Sequence, residues 1–273
     1  MLYQSFLPSS PLQELVRNYT LIHFQFNPHE PIPSKQRSAK PEEKIVFYLQ
    51  GRITLSDPKT GIIERPSALS VFTHQLDTQL FQVTPRFEAL IIYLRPGVLY
   101  RITGIPASEF PHRFCDAQLL FNSTIRDVQE QLQEVRLPMK RIQIVEKFLL
   151  SLFPHLRPKN TIEHIADHLL ADPTSFSLDA LADQACLSTR QFYRKFTEHM
   201  GISPKLFSRL SRFNHAYRYK IENPDVSWSS VAQEFRYTDY HHLEKEFKAF
   251  AGQSPSRWLD IHMGSPERML KLR

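Results

Sequence analysis

Arg190, Tyr193, Arg194 and Thr197 fall at the three- and four-residue spacing that puts side chains on one face of a helix, opposite Phe192 and Phe196. A guanidinium presented this way can donate two parallel N–H bonds to guanine in a DNA major groove, and Gln191 adds an amide suited to adenine. Some fifty residues later, Tyr240, His241, Glu244 and Lys245 take the outward positions of a second such helix. Glu244 could accept from a cytosine amino group, and Lys245 could reach guanine or a phosphate. This second face is less basic, so the expectation is that it contributes less affinity than the first. Ser188, Lys205, Arg209, Asp239 and Lys248 flank the two helices, at N-termini or as outlying cations, where phosphate contacts would position them.

Outward Arg and Lys are in most cases plain solvated surface, and aromatic stripes at helical spacing are core. The surrounding pattern shifts that weighting, because it occurs twice. Ser177, Leu178, Leu181 and Ala182 recur fifty residues on as Ser227, Trp228, Val231 and Ala232. Phe192, Arg194, Phe196, Gly201, Ser203, Pro204 and Phe207 recur fifty-one residues on as Leu243, Lys245, Phe247, Gly252, Ser254, Pro255 and Trp258. Ser177 can cap a first helix, and Ser188 with Gln191 has the capping-box form that starts a second only a few residues later. So short a connection forces a tight angle between the two helices. Gly201 ends the second, and Ser203-Pro204 starts a connecting helix over residues 204–221.

Two such units resemble the DNA-binding domain of the AraC/XylS family of bacterial transcription regulators, over residues 159–262. The most specific stretch is Val231-Ala232, Tyr237, Asp239, His242, Leu243, Phe247-Lys248, Gly252 and Ser254-Pro255. Arg236 stands where the family usually has glycine, so it must take the turn without glycine's freedom. Leu243 stands where the family usually has phenylalanine.

The first 155 residues have a different texture. IVFYLQGRITL, from Ile45, is rich in β-branched and aromatic residues, and SDPKTG at 56–61 is a hairpin signal. Further strands are predicted at 62–63, 69–74, 80–83 and 87–94, and helices at 98–103, 123–134 and 140–152. Ile45, Phe47 and Leu49 alternate with Val46 and Tyr48, so both faces of that strand are expected to be covered. The fold expected is α+β: a small cupin-like β-barrel with helices in residues 1–155, a linker at 156–160, an all-α double helix-turn-helix domain at 159–262 and a tail at 263–273. The family resemblance also extends here, through Leu7-Pro8, Pro11-Leu12 and Val16-Arg17 and through Leu94-Arg95-Pro96-Gly97-Val98, to a subgroup with a poorly defined N-terminal domain.

Other chemistries find little support. His23, His29, His74 and His112 lack close H-x-H spacing with a downstream carboxylate, so no metal is expected. His164 and His168 are not followed by the Glu of a zinc protease helix, and neither a Gly-rich phosphate loop nor a nucleophile elbow is present. No cofactor and no enzymatic activity are expected. The chain has 273 residues, a net charge of +6 and two cysteines. Those features, with no apolar run of membrane-spanning length and no leader pattern at the N-terminus, fit a DNA binder in a reducing cytoplasm. Cys186 is expected to be a small buried apolar residue. The partners implied are double-stranded DNA, a second copy of the chain, a small-molecule effector for the N-terminal domain and RNA polymerase, with no membrane. The alternative is a DNA-binding module whose N-terminal half mediates protein assembly alone.

Overall fold

The computed structural model describes residues 2–27, 29, 32, 34–110, 113–121, 123–174 and 176–263. His112 and nearly all of the tail lie outside them. Strands and helices are numbered in chain order. The first sheet is antiparallel throughout, in the order β1 (Leu2–Phe6), β2 (Val16–Gln25), β9 (Arg86–Leu94), β4 (Lys44–Gln50), β7 (Leu69–Phe72) and β10 (Phe114–Asp116). The second runs β3 (Lys35–Arg37), β8 (Gln79–Val83), β5 (Ile53–Ser56) and β6 (Ile63–Glu64).

The two sheets face each other in a jelly-roll-like sandwich and do not close into a single barrel. Closure needs continuous edge pairing, and the second sheet's edge strands, β3 and β6, have three and two residues. The large sheet is apolar on both faces, as the alternation in β4 anticipates. Val46, Tyr48, Phe87, Ala89 and Ile91 turn toward Ile53, Leu55 and Val83 of the small sheet. Ile45, Phe47, Leu90 and Ile92 turn the other way, onto a helical layer.

That layer comprises α1 (Val98–Thr103), α2 (Gln118–Phe121), α3 (Thr124–Glu134) and α4 (Pro138–Ser151). α1 spans the residues predicted for it. α4 begins two residues earlier than predicted because Pro138 occupies its first turn, where a missing N–H costs nothing.

The second domain contains α5 (Thr161–Ala171), α6 (Leu178–Gln184), α7 (Thr189–Met200), α8 (Pro204–Glu222), α9 (Trp228–Glu234), α10 (Tyr240–Ala251) and α11 (Pro255–Met263). The repeat in the sequence is a repeat in space. α6 and α9 start fifty residues apart, and α7 and α10 fifty-one. The extra residue is Thr238. Ser188 caps α7 directly after Leu187, whereas Thr238 intervenes between Tyr237 and the Asp239 cap of α10. Each unit has its own core, with Phe192, Phe196 and Phe207 in one and Phe213, Phe247 and Trp258 in the other. The 19-residue α8, about 28 Å long at 1.5 Å per residue, joins them.

Candidate nucleic-acid interface and interdomain cavity

Both inter-helix turns use a residue with positive φ that is not glycine: Cys186 at 53° and Arg236 at 52°. The following amides close the turns identically, Leu187 N–H donating to the Ala182 carbonyl at 3.0 Å and Tyr237 N–H to the Ala232 carbonyl at 2.8 Å. Cys186 is therefore exposed, correcting the expectation that it is buried. The left-handed residue points away from the core, and the neighbouring Leu187 and Ala182 pack there instead.

On α7, Phe192 and Phe196 are fully buried, and the opposite face exposes Arg190, Gln191, Tyr193, Arg194 and Lys195. Lys195, which the sequence reading does not single out, is exposed on the same helix. Gln191 closes the capping box: Ser188 N–H donates to its Oε1 at 3.1 Å. α10 carries Tyr240, His241, Glu244 and Lys245 on the corresponding surface. Glu244 is paired with Lys248 at 3.1 Å, so neither is as free as the sequence reading supposed.

The flanking residues divide. Lys205 is exposed at the start of α8. Arg209 is committed elsewhere: its Nη2 donates to the buried Glu246 at 2.7 Å and its Nε at 3.1 Å, a strut between α8 and α10. The side chains of Ser188 and Asp239 are caps, accepting from the N–H of Gln191 and of His242. A carboxylate repels a phosphate, so any phosphate there would sit on the first-turn backbone amides and not on Asp239 Oδ.

The C-terminal ends of both recognition helices face the N-terminal domain. Gly201 ends α7 at φ 75°, and a Cβ there would lie 2.9 Å from the Ala107 carbonyl oxygen. Beside it Tyr100 stacks on the buried His199 at 4.1 Å and donates to Glu198, while His199 Nδ1 meets the buried Glu163 at 2.7 Å. Gly252 ends α10 at φ 69°, 3.3 Å from Thr78 Oγ1 by the same measure. There Ala39 N–H donates to the Phe250 carbonyl at 2.8 Å, and Asn214 Nδ2 donates to the Ala39 carbonyl at 3.1 Å. Between the two seams, His74 lies buried with its ring edge-on to Phe207, and burial holds its pKa down to about 4.

Behind the second seam is a cavity of about 390 Å³, within the roughly 300–1,000 Å³ usual for small-molecule sites. Strand residues such as Ile22, Phe24, Val46 and Tyr48 line it from one domain, and Tyr217, Trp258 and His262 from the other. Burial opposes ionisation of Glu42 at its rim, but Lys40, Lys44 and Arg17 prevail and lower its pKa to about 2. Burial pulls Lys44 down to about 8, against the pull of Glu42. The two-faced alternation of β4 pointed to Val46 and Tyr48, while the other lining residues come from many elements along the chain and carried no such signal. Among the described residues, no three His, Cys, Asp or Glu converge as a metal site would require, and no helix is long and apolar enough to cross a membrane.

Residues 181–261 match the family described as a helix-turn-helix domain. No curated protein matches the chain by sequence. Among solved structures it is similar to wild-type ToxT of Vibrio cholerae bound to an unsaturated fatty acid, at 10% identity over 89% of this chain and 95% of that one, TM-score 0.51. It is also similar to the C-terminal domain of AraT, a response regulator from Geobacillus stearothermophilus, at 18% identity over 40% and 92%, TM-score 0.36. The DNA-binding domain of AdpA in complex with a target DNA gives 24% identity over 38% and 95%, TM-score 0.35. The ToxT likeness is one of fold.

Proposed function

We propose that this chain, whose C-terminal part is an AraC-type DNA-binding domain, is a transcription regulator that reads DNA with α7 and α10 and tunes that reading with a small ligand. The two recognition helices enter successive major-groove segments on one face of the duplex, about one helical turn or roughly 34 Å apart. α7 supplies most of the base contacts through Arg190, Gln191, Tyr193 and Arg194. α10 adds Tyr240, His241 and Lys245, and Glu244 once released from Lys248.

The observation that carries the ligand half is the position of the cavity. Its walls come from both domains, so anything bound there touches the sensor and the DNA-binding unit together. The fatty acid carried by ToxT supports ligand binding as one use of this fold. Exposed Leu137, Met139 and Leu150 around α4 support dimerisation through the helical layer.

The test is a thermal-shift screen of the full-length protein against small metabolites, followed by DNA titration with each hit. The expected result is a hit that changes affinity for a selected DNA site by a coupling of about 1–3 kcal/mol. Hits that stabilise the protein and leave DNA affinity unchanged would overturn the coupling. A screen without hits, from a protein that sediments as a dimer, would leave assembly as the role of the N-terminal domain.

A further inference from the structure

Glu246 is a buried charge in the middle of a recognition helix. It lies on the face of α10 that carries Leu243, Phe247 and Phe250, and only 5% of it is exposed. Arg209 of α8 grips it with two nitrogens: Nη2 donates to Oε1 at 2.7 Å, and Nε lies 3.1 Å from Oε1 and 3.4 Å from Oε2. The same guanidinium sits 5.4 Å from the ring centre of Phe250, one turn further along α10. Arg212, one turn further along α8, lies 4.4 Å from the ring centre of Tyr237, just ahead of the Asp239 cap. Two guanidinium groups three residues apart on α8 therefore hold the α10 segment at two places, before its start and at its middle.

The first unit is held differently. The fifty-one-residue offset of the repeat matches Glu246 with Lys195 of α7, which is exposed. α5 packs on α7 as α8 packs on α10, but it has 11 residues against 19. Shifted by the same offset, its start at Thr161 falls on Arg212, so Arg209 belongs to a turn that α5 lacks. The buried pair that joins α5 to α7, Glu163 with His199, sits in the last turn of α7 and not at its middle.

A buried ion pair adds little net stability, because desolvating both charges offsets their attraction, and apolar replacements often fold as well or better. What a guanidinium fork on a carboxylate does supply is orientation. Ring contacts such as Phe213 on Phe247, 4.8 Å apart, are less directional. A rotation of α10 by about 15° would swing a side-chain tip roughly 6 Å from the axis through about 1.5 Å, well beyond the roughly 0.5 Å range of a hydrogen-bond length.

Resting on the reading of DNA by α7 and α10 above, we infer that Arg209 and Glu246 are positioning residues for base recognition: the pair sets the rotation of α10 about its own axis, and so determines which base edges Tyr240, His241 and Lys245 reach. Base preference in the second half of the site then depends on two side chains that touch no base. Preference in the first half does not.

The test is random-library DNA selection with full-length protein. Arg194→Ala and Lys245→Ala identify the positions read by α7 and by α10. Two further variants then address the pair. Arg209→Lys keeps the charge and loses the fork, and Arg209→Met with Glu246→Leu replaces both partners by apolar side chains. Each is expected to melt within a few degrees of the wild type. Each should lower discrimination at the α10 positions by about threefold or more, out of the roughly 5- to 150-fold that a good base contact supplies, and leave the α7 positions unchanged. Unchanged preference at the α10 positions in either folded variant would overturn the proposal. So would equal losses at the α7 positions, which a general loosening of the domain would produce. If the double variant fails to fold, Arg209→Lys alone decides. A wild-type protein that selects no site would overturn the DNA reading and this proposal with it, whereas a wild-type site that the variants leave unaltered overturns the proposal alone.

Discussion

In the first helix-turn-helix unit, Arg190, Arg194 and Lys195 stand exposed on α7, and among the described residues no ion pair engages them. In the second, the equivalent surface of α10 holds Glu244 against Lys248 at 3.1 Å. The backbones beneath are alike in helix starts, turn conformation and left-handed glycine ends. What differs is the outward chemistry, which packing does not constrain. The seams differ too: the first unit meets the N-terminal domain through packed rings and a buried Glu163–His199 pair, the second through hydrogen bonds beside a cavity. The two units thus differ in the chemistry each presents outward and in how each meets the N-terminal domain.

The sharpest way to break this contrast is to remove both arginines of α7. Arg190→Ala with Arg194→Ala should cost about 2–6 kcal/mol on a selected DNA site and relax base preference at two positions, whereas Lys245→Ala should cost about 1 kcal/mol. Affinity titrations on specific and random DNA distinguish the outcomes. Equal losses on both DNAs would reduce the arginines to phosphate contacts, and a larger loss from Lys245→Ala would reverse the ranking of the units.

The helix ends offer a second comparison. Any side chain at Gly201 or Gly252 must adopt positive φ, which costs roughly 1–2 kcal/mol. At Gly201 the new Cβ also meets the backbone carbonyl of Ala107, which has little room to move. Gly201→Ala should therefore destabilise by about 2–4 kcal/mol and Gly252→Ala by about 1–2 kcal/mol, since Thr78 can rotate its hydroxyl away. Denaturant titration ranks the two, and equal losses would mean that the first seam is no tighter than the second.

Acid should loosen the region between the seams. His74 is held neutral by burial, its pKa lowered to about 4. In the unfolded chain the ring takes a proton near pH 6.5, so between pH 6.5 and 4 the unfolded state binds the more protons. Stability is then complete above about pH 6.5 and falls by up to about 3 kcal/mol as the pH drops toward 4. His74→Phe should flatten that slope in a pH series of melting temperatures, and an unchanged slope would place the titration elsewhere.

The smallest effect concerns the two turns. Cys186 and Arg236 pay for left-handed φ, and glycine would relieve that while adding unfolded-state entropy. Cys186→Gly and Arg236→Gly should each stabilise by less than about 1 kcal/mol, and by similar amounts. Clearly unequal shifts in unfolding midpoint would show that the turns are less alike than their dihedrals.

Much of the second domain was legible before any coordinates. Caps, helical stripes and the repeat act over three to seven residues, and Ser177, Ser188 and Ser203 each cap the helix they announce. The two-faced apolar pattern of β4 foretold a sheet covered on both sides. Less was legible where partners are remote. β1 pairs with β2 and β10 with β7, edge strands whose own residues alternate weakly. Arg209 looked like a phosphate contact because Glu246, thirty-seven residues away, occupies it only once α8 and α10 cross.

The amino-acid sequence by itself determined that there are two similar units, where their helices begin and which faces point outward, because hydrogen bonding and periodicity within a helix are local. Tertiary structure alone decided which outward cations stay free, how the sheets stack without closing, and that Gln79 and Trp258, nearly 180 residues apart, share one cavity. Those outcomes depend on chain segments meeting across long loops, and local patterns carry no information about such encounters.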